Sequence, residues 1–291
     1  MKNFNISLYG NLIVDTVYKV RNFQEGGSTK CTSKYKSLGG LANVARELLN
    51  LNDDTNLSVD AAVGNDDEAK FCRQWFSNKG IDYSLQKIDN HPTSNAVIFV
   101  DSKKNIRSSV VEWGACQHYK FEDSRSSYWK HFLYADSLNN ITENDLKKAS
   151  ENAIVSVDFC LSSHTPKQRQ KVYSFLKYVD YLFISDVESR SITGLKDLKS
   201  MSMHLGKEAK GVCILHDPQG SYISDGLFYS EVKTDFLENI ELDVLGAGDV
   251  FTASFIDHSI KNPNEEYVKV AEFAHTNTTK YLLNNKEDKN D

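Results

Sequence analysis

The chain has few of the features that mark several common protein classes. Its five cysteines are widely separated and form no Cys-x-x-Cys pair, which argues against a disulfide framework and a zinc site. No apolar run approaches the length of a membrane span, and the N-terminus lacks the apolar region of a signal peptide. A net charge of −6 argues against a nucleic-acid-binding protein held by phosphate contacts. We therefore expect a cytoplasmic protein that binds neither membranes nor nucleic acid.

Several active-site motifs are also missing. The chain has no Gly-x4-Gly-Lys-Ser/Thr sequence, which excludes a P-loop nucleotide site. Gly246 and Gly248 lack the third glycine of a dinucleotide-binding turn, because Phe251 occupies its place. The chain also lacks a His-Glu-x-x-His zinc motif and a serine nucleophile elbow, and its eight histidines do not cluster. Any phosphate chemistry must therefore depend on another arrangement.

Strand and helix patterns alternate along almost the whole chain. This alternation predicts an α/β fold with a mainly parallel central sheet and helices on both faces. Ligands of such sheets bind at the carboxyl ends of the strands. The predicted strands are 5–14, 57–63, 131–135, 153–158, 180–184 and 211–216. The predicted helices are 40–51, 66–79, 142–150, 166–178, 186–193, 195–206, 248–260 and 265–283.

Two segments interrupt the alternation. Residues 16–37 and 95–112 have polar/apolar strand patterns with no helix between them. We interpret them as a small β-sheet lid over an active site, since excluding water strengthens charge interactions and suppresses hydrolysis. The alternative is that they are edge strands of the main sheet. The α/β core then comprises residues 1–15, 38–94 and 113–291. Two lids could pair in a homodimer and bury apolar residues that a thin sheet leaves exposed.

The most informative stretch is Gly246-Ala247-Gly248-Asp249, which lies between a short apolar run and a helix with regularly spaced apolar positions. The glycines let several backbone N–H groups point into one space, at a helix N-terminus where such donors lack partners. Such a turn suits the charge on a phosphoryl group in transfer. Asp249 beside bound phosphate makes sense as the base that takes a proton from a substrate hydroxyl. Together they predict phosphoryl transfer.

The alternative interpretation of this stretch is structural: Asp249 caps a helix and the glycines shape a loop. For an isolated Gly-x-Gly-Asp sequence that alternative would be preferred, because short motifs often occur by chance. A second glycine motif makes the catalytic interpretation the stronger one. It is Ser37-Leu38-Gly39-Gly40-Leu41-Ala42-Asn43-Val44-Ala45, far upstream, where it opens the predicted helix 40–51.

Read with Ala62-Val63-Gly64-Asn65-Asp66-Asp67-Glu68, the order and spacing of these motifs resemble the ribokinase/PfkB family of carbohydrate kinases over roughly the whole chain. Residues 10–15 are similar to the family's first strand, which ends in a substrate-binding Asp. Pro92-Thr93 and the strands that follow are similar to the lid return. Residues 181–188 are similar to the strand leading to the family's Asn-x-x-Glu motif, and 212–220 to the strand and loop beside the nucleotide.

The resemblance implies a role for each matching position. Asp249 would be the base, and the glycine turn before it would supply anion-hole donors from Gly246, Ala247 and Gly248. Glu188 would orient Mg²⁺ through water, since Mg²⁺ tends to keep part of its hydration shell. The implied sugar-binding residues are Asp15, Gly39, Gly40 and Asn43, with Arg107 brought near the sugar by the lid. The implied residues on the ATP side are Ser185, Gly220 and Asp243, and Asp243 would also support the loop and a monovalent cation.

Three positions depart from the family pattern. Ser185 stands where the family has Asn, and Val244 replaces the commoner Thr, which removes a hydroxyl able to bond phosphate or the loop. His216-Asp217-Pro218 replaces a glycine-containing turn near the nucleotide. Ser185 and Leu245 are similar to the ketohexokinase and fructokinase-like branch, which favours a ketose as acceptor.

We therefore predict an ATP-dependent, Mg²⁺-requiring sugar kinase that phosphorylates a primary hydroxyl. One alternative keeps the class and changes the acceptor to a nucleoside, an amino-sugar derivative or, given Arg107, an acidic sugar. Another alternative is a sugar- or nucleotide-binding protein that has lost catalysis. The intact Gly-Ala-Gly-Asp turn argues against this loss, whereas Val244 and Ser185 argue for it. Specificity depends on loop side chains, so the sequence does not name the sugar.

Overall fold

The computed structural model describes residues 4–24, 26–52, 55–101, 106–135, 140–160, 165–234 and 244–287. The strands in these ranges are β1 Asn5–Gly10, β2 Leu12–Val20, β3 Cys31–Gly40, β4 Asn56–Val63, β5 Asp82–Lys87, β6 Asn95–Asp101, β7 Ile106–Glu112, β8 Trp129–Ala135, β9 Ile154–Cys160, β10 Tyr181–Ser185, β11 Val212–Asp217, β12 Gly220–Ser224 and β13 Tyr229–Lys233. The helices are α1 Leu41–Leu51, α2 Asp67–Asn78, α3 Glu143–Ser150, α4 Pro166–Leu176, α5 Asp186–Thr193, α6 Leu198–Glu208, α7 Ala247–Lys261 and α8 Tyr267–Glu287, with a 3-10 turn at Ala115–His118.

Nine strands form the main sheet, in the order β13-β12-β11-β10-β9-β8-β1-β4-β5. All neighbours from β11 to β5 pair in parallel, whereas β12 and β13 add an antiparallel edge. Helices cover both faces because apolar residues of α1, α2, α7 and α8 pack on one side and those of α3 to α6 on the other. This arrangement confirms the predicted α/β fold.

A second sheet stands apart from the first, in the order β3-β2-β6-β7. Its strand β2 pairs antiparallel with β3 and parallel with β6. Four buried apolar residues on one face of this sheet pack against Trp113 and Leu245; they are Ile13, Val17, Ala96 and Ile98. The small sheet is therefore separate, as predicted, and its apolar face lies against the residue that precedes Gly246. The division of the chain into core and lid at the predicted boundaries stays a prediction.

The prediction of one strand over 5–14 is wrong. The chain turns at Gly10, with φ of 119°, so β1 belongs to the main sheet and β2 to the small one. Asn11 holds the turn: its backbone N–H donates to Leu133 O at 3.2 Å, and its O accepts from Leu41 N at 2.9 Å. Both strands are buried, so the apolar pattern runs through the turn without a break. The sequence pattern also misses β5, β12 and β13, whose short sequences are too polar to read as apolar runs.

The ends of several strands and the start of one helix meet on one side of the main sheet. The carboxyl ends of β9, β10 and β11 lie there, as parallel strands require, and the N-terminus of α7 joins them. Helix α7 packs between α1 and α8, which fixes the position of its first turn. None of the helices in the described ranges combines the length and apolar character that a membrane span needs.

His131 is a titratable residue in the middle of the main sheet. It is 0% exposed, and its Nδ1 lies 2.9 Å from Ser156 Oγ, which also accepts a hydrogen bond from Trp129 Nε1 at 2.7 Å. Burial lowers the pKa of His131 to about 3. An unfolded histidine takes up a proton near pH 6.5, whereas the folded protein does not. Stability contributed by neutral His131 is therefore present above about pH 6.5 and is lost as the pH falls toward the folded pKa.

Replacing His131 by Phe should make the protein less sensitive to acid, because Phe keeps a ring of similar shape and cannot ionise. Between about pH 6.5 and pH 4, the free energy of unfolding of the wild type should fall relative to the variant by about 1.4 kcal/mol for each pH unit. Urea denaturation at several pH values in that range measures this difference. A difference that stays constant across the range would contradict the prediction.

Candidate active site

Asp15 and the Gly39-Gly40 pair meet where β2 and β3 run side by side. Asp15 is only 5% exposed. A Cβ atom on Gly39 would lie 2.3 Å from Asp15 Oδ2, so glycine at this position leaves room for the carboxylate. Gly40, with φ of 61°, is the N-cap of α1 and places Asn43 in the first turn of that helix. The second glycine motif thus serves to bring a carboxylate and an amide to one end of the small sheet.

Asp249 lies in the first turn of α7, half-buried and opposite α1. Asn43 Nδ2 donates a hydrogen bond to Asp249 Oδ2 at 2.8 Å. This contact joins the two glycine motifs, which are separated by 206 residues in sequence. The structure therefore places Asn43 against the predicted base, whereas the resemblance assigned it to the sugar hydroxyls.

Charge and burial set the pKa values of both carboxyl groups. Burial raises the pKa of Asp249 to about 6, although the Asn43 hydrogen bond and the charges of Arg107 and Arg46 act in the opposite direction. Burial likewise raises the pKa of Asp15 to about 7; Arg107 opposes this, Asp249 adds to it and Arg46 opposes it. A carboxylate with a pKa close to neutrality is a better proton acceptor than an ordinary aspartate. The site therefore suits Asp249 to general-base work.

The turn before Asp249 has one residue in the left-handed region. Gly246, with φ of 81°, is the N-cap of α7, and Tyr281 Oη donates to Leu245 O at 2.8 Å beside it. Gly248 does not have a positive φ, and a Cβ there would meet only His216 Cε1, at 3.7 Å. Ala247 N–H donates to Val244 O at 3.2 Å. The N–H groups of Gly248 and Asp249 come next, in the helical turn whose donors have no acceptor within the helix.

Ser185 and Glu188 form the start of α5, at the end of β10. Ser185 is the N-cap; its Oγ donates to Glu188 Oε2 at 2.6 Å and accepts from Glu188 N at 3.2 Å. This reciprocal capping box fixes the carboxylate of Glu188. A serine in place of the family's asparagine therefore still orients the acidic residue predicted to act on Mg²⁺.

Asp158 is a candidate site residue that the sequence analysis missed. It lies on β9 and is 6% exposed, with Thr252 Oγ1 of α7 donating to its Oδ2 at 3.1 Å. Burial raises the pKa of Asp158 well above its usual range, and the charges of Glu188 and Asp249 raise it further. Its signal in the sequence was an acidic residue inside the apolar run 153–158, at the carboxyl end of a predicted strand.

A cavity of about 290 Å³ opens beside the glycine turn. His216 and His275 are among its lining residues, and their rings lie 5.5 Å and 4.6 Å from the ring of Phe251. Burial lowers the pKa of each histidine to about 4, so both are neutral at pH 7. The described residues that line the cavity include no Lys or Arg; they are Ser185, Asp186, His216, Asp217, Pro218, Thr234, Val244, Ala247, Gly248, Phe251, His275, Thr278, Thr279 and Leu282.

The remaining predicted site residues are Arg107, Gly220 and Asp243. Arg107 lies on β7, paired with Val100, and its charge acts on both Asp15 and Asp249. Gly220 begins β12 and is not among the described residues lining the cavity, although Asp217 and Pro218 of the same hairpin are. Asp243 lies outside the described residues. Within the described part of the chain, no group of three or more His, Cys, Asp or Glu side chains is arranged to hold a metal ion by itself.

Comparison with known proteins decides the family. Residues 3–286 match the pfkB family carbohydrate kinase profile, which is almost the whole chain. The chain belongs to this family. It is therefore a phosphotransferase with an alcohol group as acceptor, as the sequence analysis predicted, and kinases of this family use ATP with Mg²⁺. No curated protein matches the chain at a significant level.

Solved structures give the same fold. A ribokinase from Giardia lamblia superposes with a TM-score of 0.80 at 18% identity, covering 96% of this chain and 93% of that one. An adenosine kinase from Sinorhizobium meliloti gives 0.79 at 18% identity, covering 97% and 94%. A nucleoside kinase from Methanocaldococcus jannaschii, described as an archaeal member of the ribokinase family, gives 0.72 at 21% identity, covering 97% and 93%. These ribokinase-family kinases differ in acceptor, so the similarity establishes the fold.

Alanine substitutions at the two glycines of the turn should affect different properties: Gly248→Ala should lower activity, and Gly246→Ala should lower stability. A Cβ at Gly248 would make only an ordinary contact with His216 Cε1, so we expect Gly248→Ala to leave the melting temperature unchanged. It should lower activity, because the methyl group would crowd a phosphate bound at the turn. Gly246→Ala forces a Cβ into the left-handed region, at a cost of roughly 1–2 kcal/mol of stability. Thermal unfolding and ADP release measure the two effects. Equal losses of stability in both variants would mean that the glycines only shape the turn.

Proposed function

We propose that this chain is an ATP-dependent sugar kinase that transfers the γ-phosphate to a primary hydroxyl, with Asp249 as the general base. The observation that carries this proposal is the position of Asp249. Its carboxyl group lies in the first turn of α7, next to the left-handed Gly246 turn and hydrogen-bonded to Asn43. Its pKa of about 6 allows it to be ionised and basic near neutral pH.

The reaction follows from this arrangement. Asp249 would accept the proton of the acceptor hydroxyl as the hydroxyl oxygen attacks the γ-phosphorus and the bond to ADP breaks. The N–H groups at the start of α7 would stabilise the transferring negative charge, since donors fixed before the reaction need no reorganisation. Asp15 would hold a second hydroxyl of the acceptor, and positioning would supply much of the acceleration.

The cavity beside Gly248 supports ATP as the donor. Its aromatic rings, His216, Phe251 and His275, offer surfaces for a base, and its lining includes Ala247 and Gly248 of the glycine turn. The described lining carries Asp186 and Asp217 but no cation, so a triphosphate bound there needs added positive charge. When bound, Mg²⁺ supplies that charge.

The acidic residues beside this cavity fit a magnesium ion that keeps its waters. Glu188, fixed by Ser185, and the nearby Asp158 supply the oxygen ligands that Mg²⁺ prefers, directly or through water. The predicted role of Asp243 in supporting the loop and a monovalent cation remains a prediction.

The identity of the acceptor has two candidates. The polar residues Asp15 and Arg107 favour a hydroxylated or acidic sugar, with a ketose preferred on the resemblance of Ser185 and Leu245. A nucleoside is the alternative acceptor; the apolar side chains beside Asp15 on the small sheet, Val17, Ala96 and Ile98, are buried against Trp113 and Leu245 and offer no exposed surface to a planar base.

Replacing Asp249 by Asn should abolish turnover while preserving the fold, because Asn is similar in shape and cannot accept the proton. We expect a loss of roughly 10²–10⁴-fold or more in kcat. For the wild type, kcat/KM should rise as the pH passes upward through about 6, the pKa of Asp249. An ADP-release screen over ketoses, aldoses, sugar acids and nucleosides finds the best acceptor, with Asp249→Asn as the blank. The same assay with that acceptor, repeated across pH, measures kcat and kcat/KM. Near-full kcat in the variant would refute the mechanism, and no release above the blank would favour a binding protein without catalysis.

We further propose that the small sheet is a lid and that two lids pair in a homodimer. Apolar side chains remain exposed on it, among them Val110 at 71%, Phe23 at 38% and Tyr35 at 37%. Leu245, next to the glycine turn, packs against the buried apolar residues of the small sheet, so closure of the lid would also order the turn.

Val110→Glu should weaken such a dimer, because a charge would be buried in the lid interface. Light scattering at micromolar concentration should show a dimer for the wild type and a monomer for the variant. Leu227→Glu is the matched control, since Leu227 is 93% exposed on the β12–β13 turn, outside the lid. A wild type that is monomeric at this concentration would remove the dimer and leave the lid.

A further inference from the structure

The side chain of Asn43 is held from both sides. Its Nδ2 donates to Asp249 Oδ2 at 2.8 Å, and its Oδ1 accepts a hydrogen bond from Arg46 Nη1 at 2.9 Å. Arg46 follows Asn43 by three residues on α1, so the two side chains lie on one face of the helix. The amide therefore bridges a cation on its own helix and the predicted base on α7.

This bridge has only one favourable orientation. A guanidinium group has donors and no acceptor, and an ionised carboxylate has acceptors and no donor. If the amide of Asn43 turned over, its NH₂ group would face the donors of Arg46 and its oxygen would face the carboxylate of Asp249. Both contacts would become repulsive, so Arg46 determines which end of the amide meets the base.

Arg46 is itself fixed by two further contacts. Its Nη2 donates to Leu38 O at 3.3 Å, in the strand that leads into Gly39 and Gly40. Its guanidinium group lies 5.4 Å from the centre of the Trp75 ring on α2, within the range of a cation–π interaction. The planar fork of arginine can make these contacts together, whereas the compact ammonium group of lysine cannot reproduce the fork.

We propose that Arg46 is a positioning residue that acts through Asn43. It holds the amide in the orientation that donates to Asp249 Oδ2, so that Asp249 Oδ1 is left to accept the proton of the acceptor hydroxyl. The inference rests on the proposed role of Asp249 as the base. Trp75 supports it by fixing the guanidinium plane. Asn43 then serves the base, in addition to any contact with the sugar.

Other charges also act on this carboxylate and must be separated from Arg46. Arg107 on β7 lowers the pKa of Asp249 as Arg46 does. Asp15, Asp158 and Cys160 also interact with Asp249 electrostatically. A test of Arg46 therefore needs a variant that keeps the charge and loses the fork, beside one that loses both.

The kinetic test compares Arg46→Met, Arg46→Lys and the control Arg73→Met across pH. Arg73, on α2 with Trp75, carries the same charge, and no hydrogen bond in the described part of the chain joins it to Asn43 or Asp249. Arg46→Met should lower kcat roughly ten- to hundredfold and move the acid limb of kcat/KM upward by roughly one pH unit. Arg46→Lys should return the acid limb close to that of the wild type while kcat stays reduced. Full recovery of both by lysine would show that only charge matters and would overturn the positioning role.

A double variant tests whether Arg46 acts through the amide. Once Asn43→Leu has removed the amide, adding Arg46→Met should cost less than twofold in kcat, in contrast to its effect in the wild type. Additive losses would show that Arg46 acts on the site by another route and would overturn the proposal. Thermal unfolding of every variant checks the fold, and Arg46→Lys carries the test if Arg46→Met does not fold.

An NMR measurement separates this inference from the proposed activity. In the wild type, the ¹⁵N-labelled side-chain amide of Asn43 should shift with pH as Asp249 titrates, and Asp249→Asn should abolish that shift. Arg46→Met should also abolish it or move its midpoint upward, whereas Arg73→Met should not. A protein without kinase activity that still shows this pattern would refute the proposed function and keep the bridge. An amide unaffected by Arg46→Met would refute the bridge even in an active kinase.

Discussion

The site depends on how the carboxylate of Asp249 is held where water is partly excluded. Burial raises the pKa of Asp249 to about 6, above the usual range of an aspartate. This net effect remains although a hydrogen bond from Asn43 and the charges of two arginines favour the ionised form. Burial therefore outweighs its compensations, and the result is a base that ionises close to neutral pH. Stronger compensation would return Asp249 to an ordinary aspartate and weaken it as a proton acceptor.

The architecture around this carboxylate follows from the same constraint. Helix α7 must present its N-terminus to the cleft, so it packs between α1 and α8 and begins at a left-handed glycine. Asp158 anchors the next turn of α7 through Thr252. On the acceptor side, Gly39 has no side chain, and this leaves the space that the carboxyl group of Asp15 occupies. These contacts link the main sheet, the small sheet and the helices to one point, which explains why the polar residues of the site come from distant parts of the chain.

The departures from the family pattern have different structural outcomes. Ser185 replaces Asn yet forms a complete capping box with Glu188, so this change preserves the orientation of an acidic residue. His216 brings a neutral ring against Gly248 and Phe251, and Asp217 Oδ1 accepts hydrogen bonds from Gln219 N at 2.8 Å and Gly220 N at 3.0 Å, which closes the hairpin without a glycine at that position. Val244 is 53% exposed at the cavity rim, and nothing in the structure explains its replacement of a hydroxyl-bearing residue.

The sequence by itself determined the α/β class, the separate small sheet and the Gly-Ala-Gly-Asp turn, because apolar periodicity and glycine placement are local properties. It could not reveal that 5–14 is two strands, since burial on both sides of Gly10 gives one unbroken apolar pattern. It also could not pair Asn43 with Asp249, assign Arg46 to the amide between them, or bring Asp158 into the site. Those contacts join residues on different strands and helices, and only the packing of α1 against α7 and the order of the parallel strands decide them. The pKa of Asp249 belongs to the same group, because burial is a property of the folded chain.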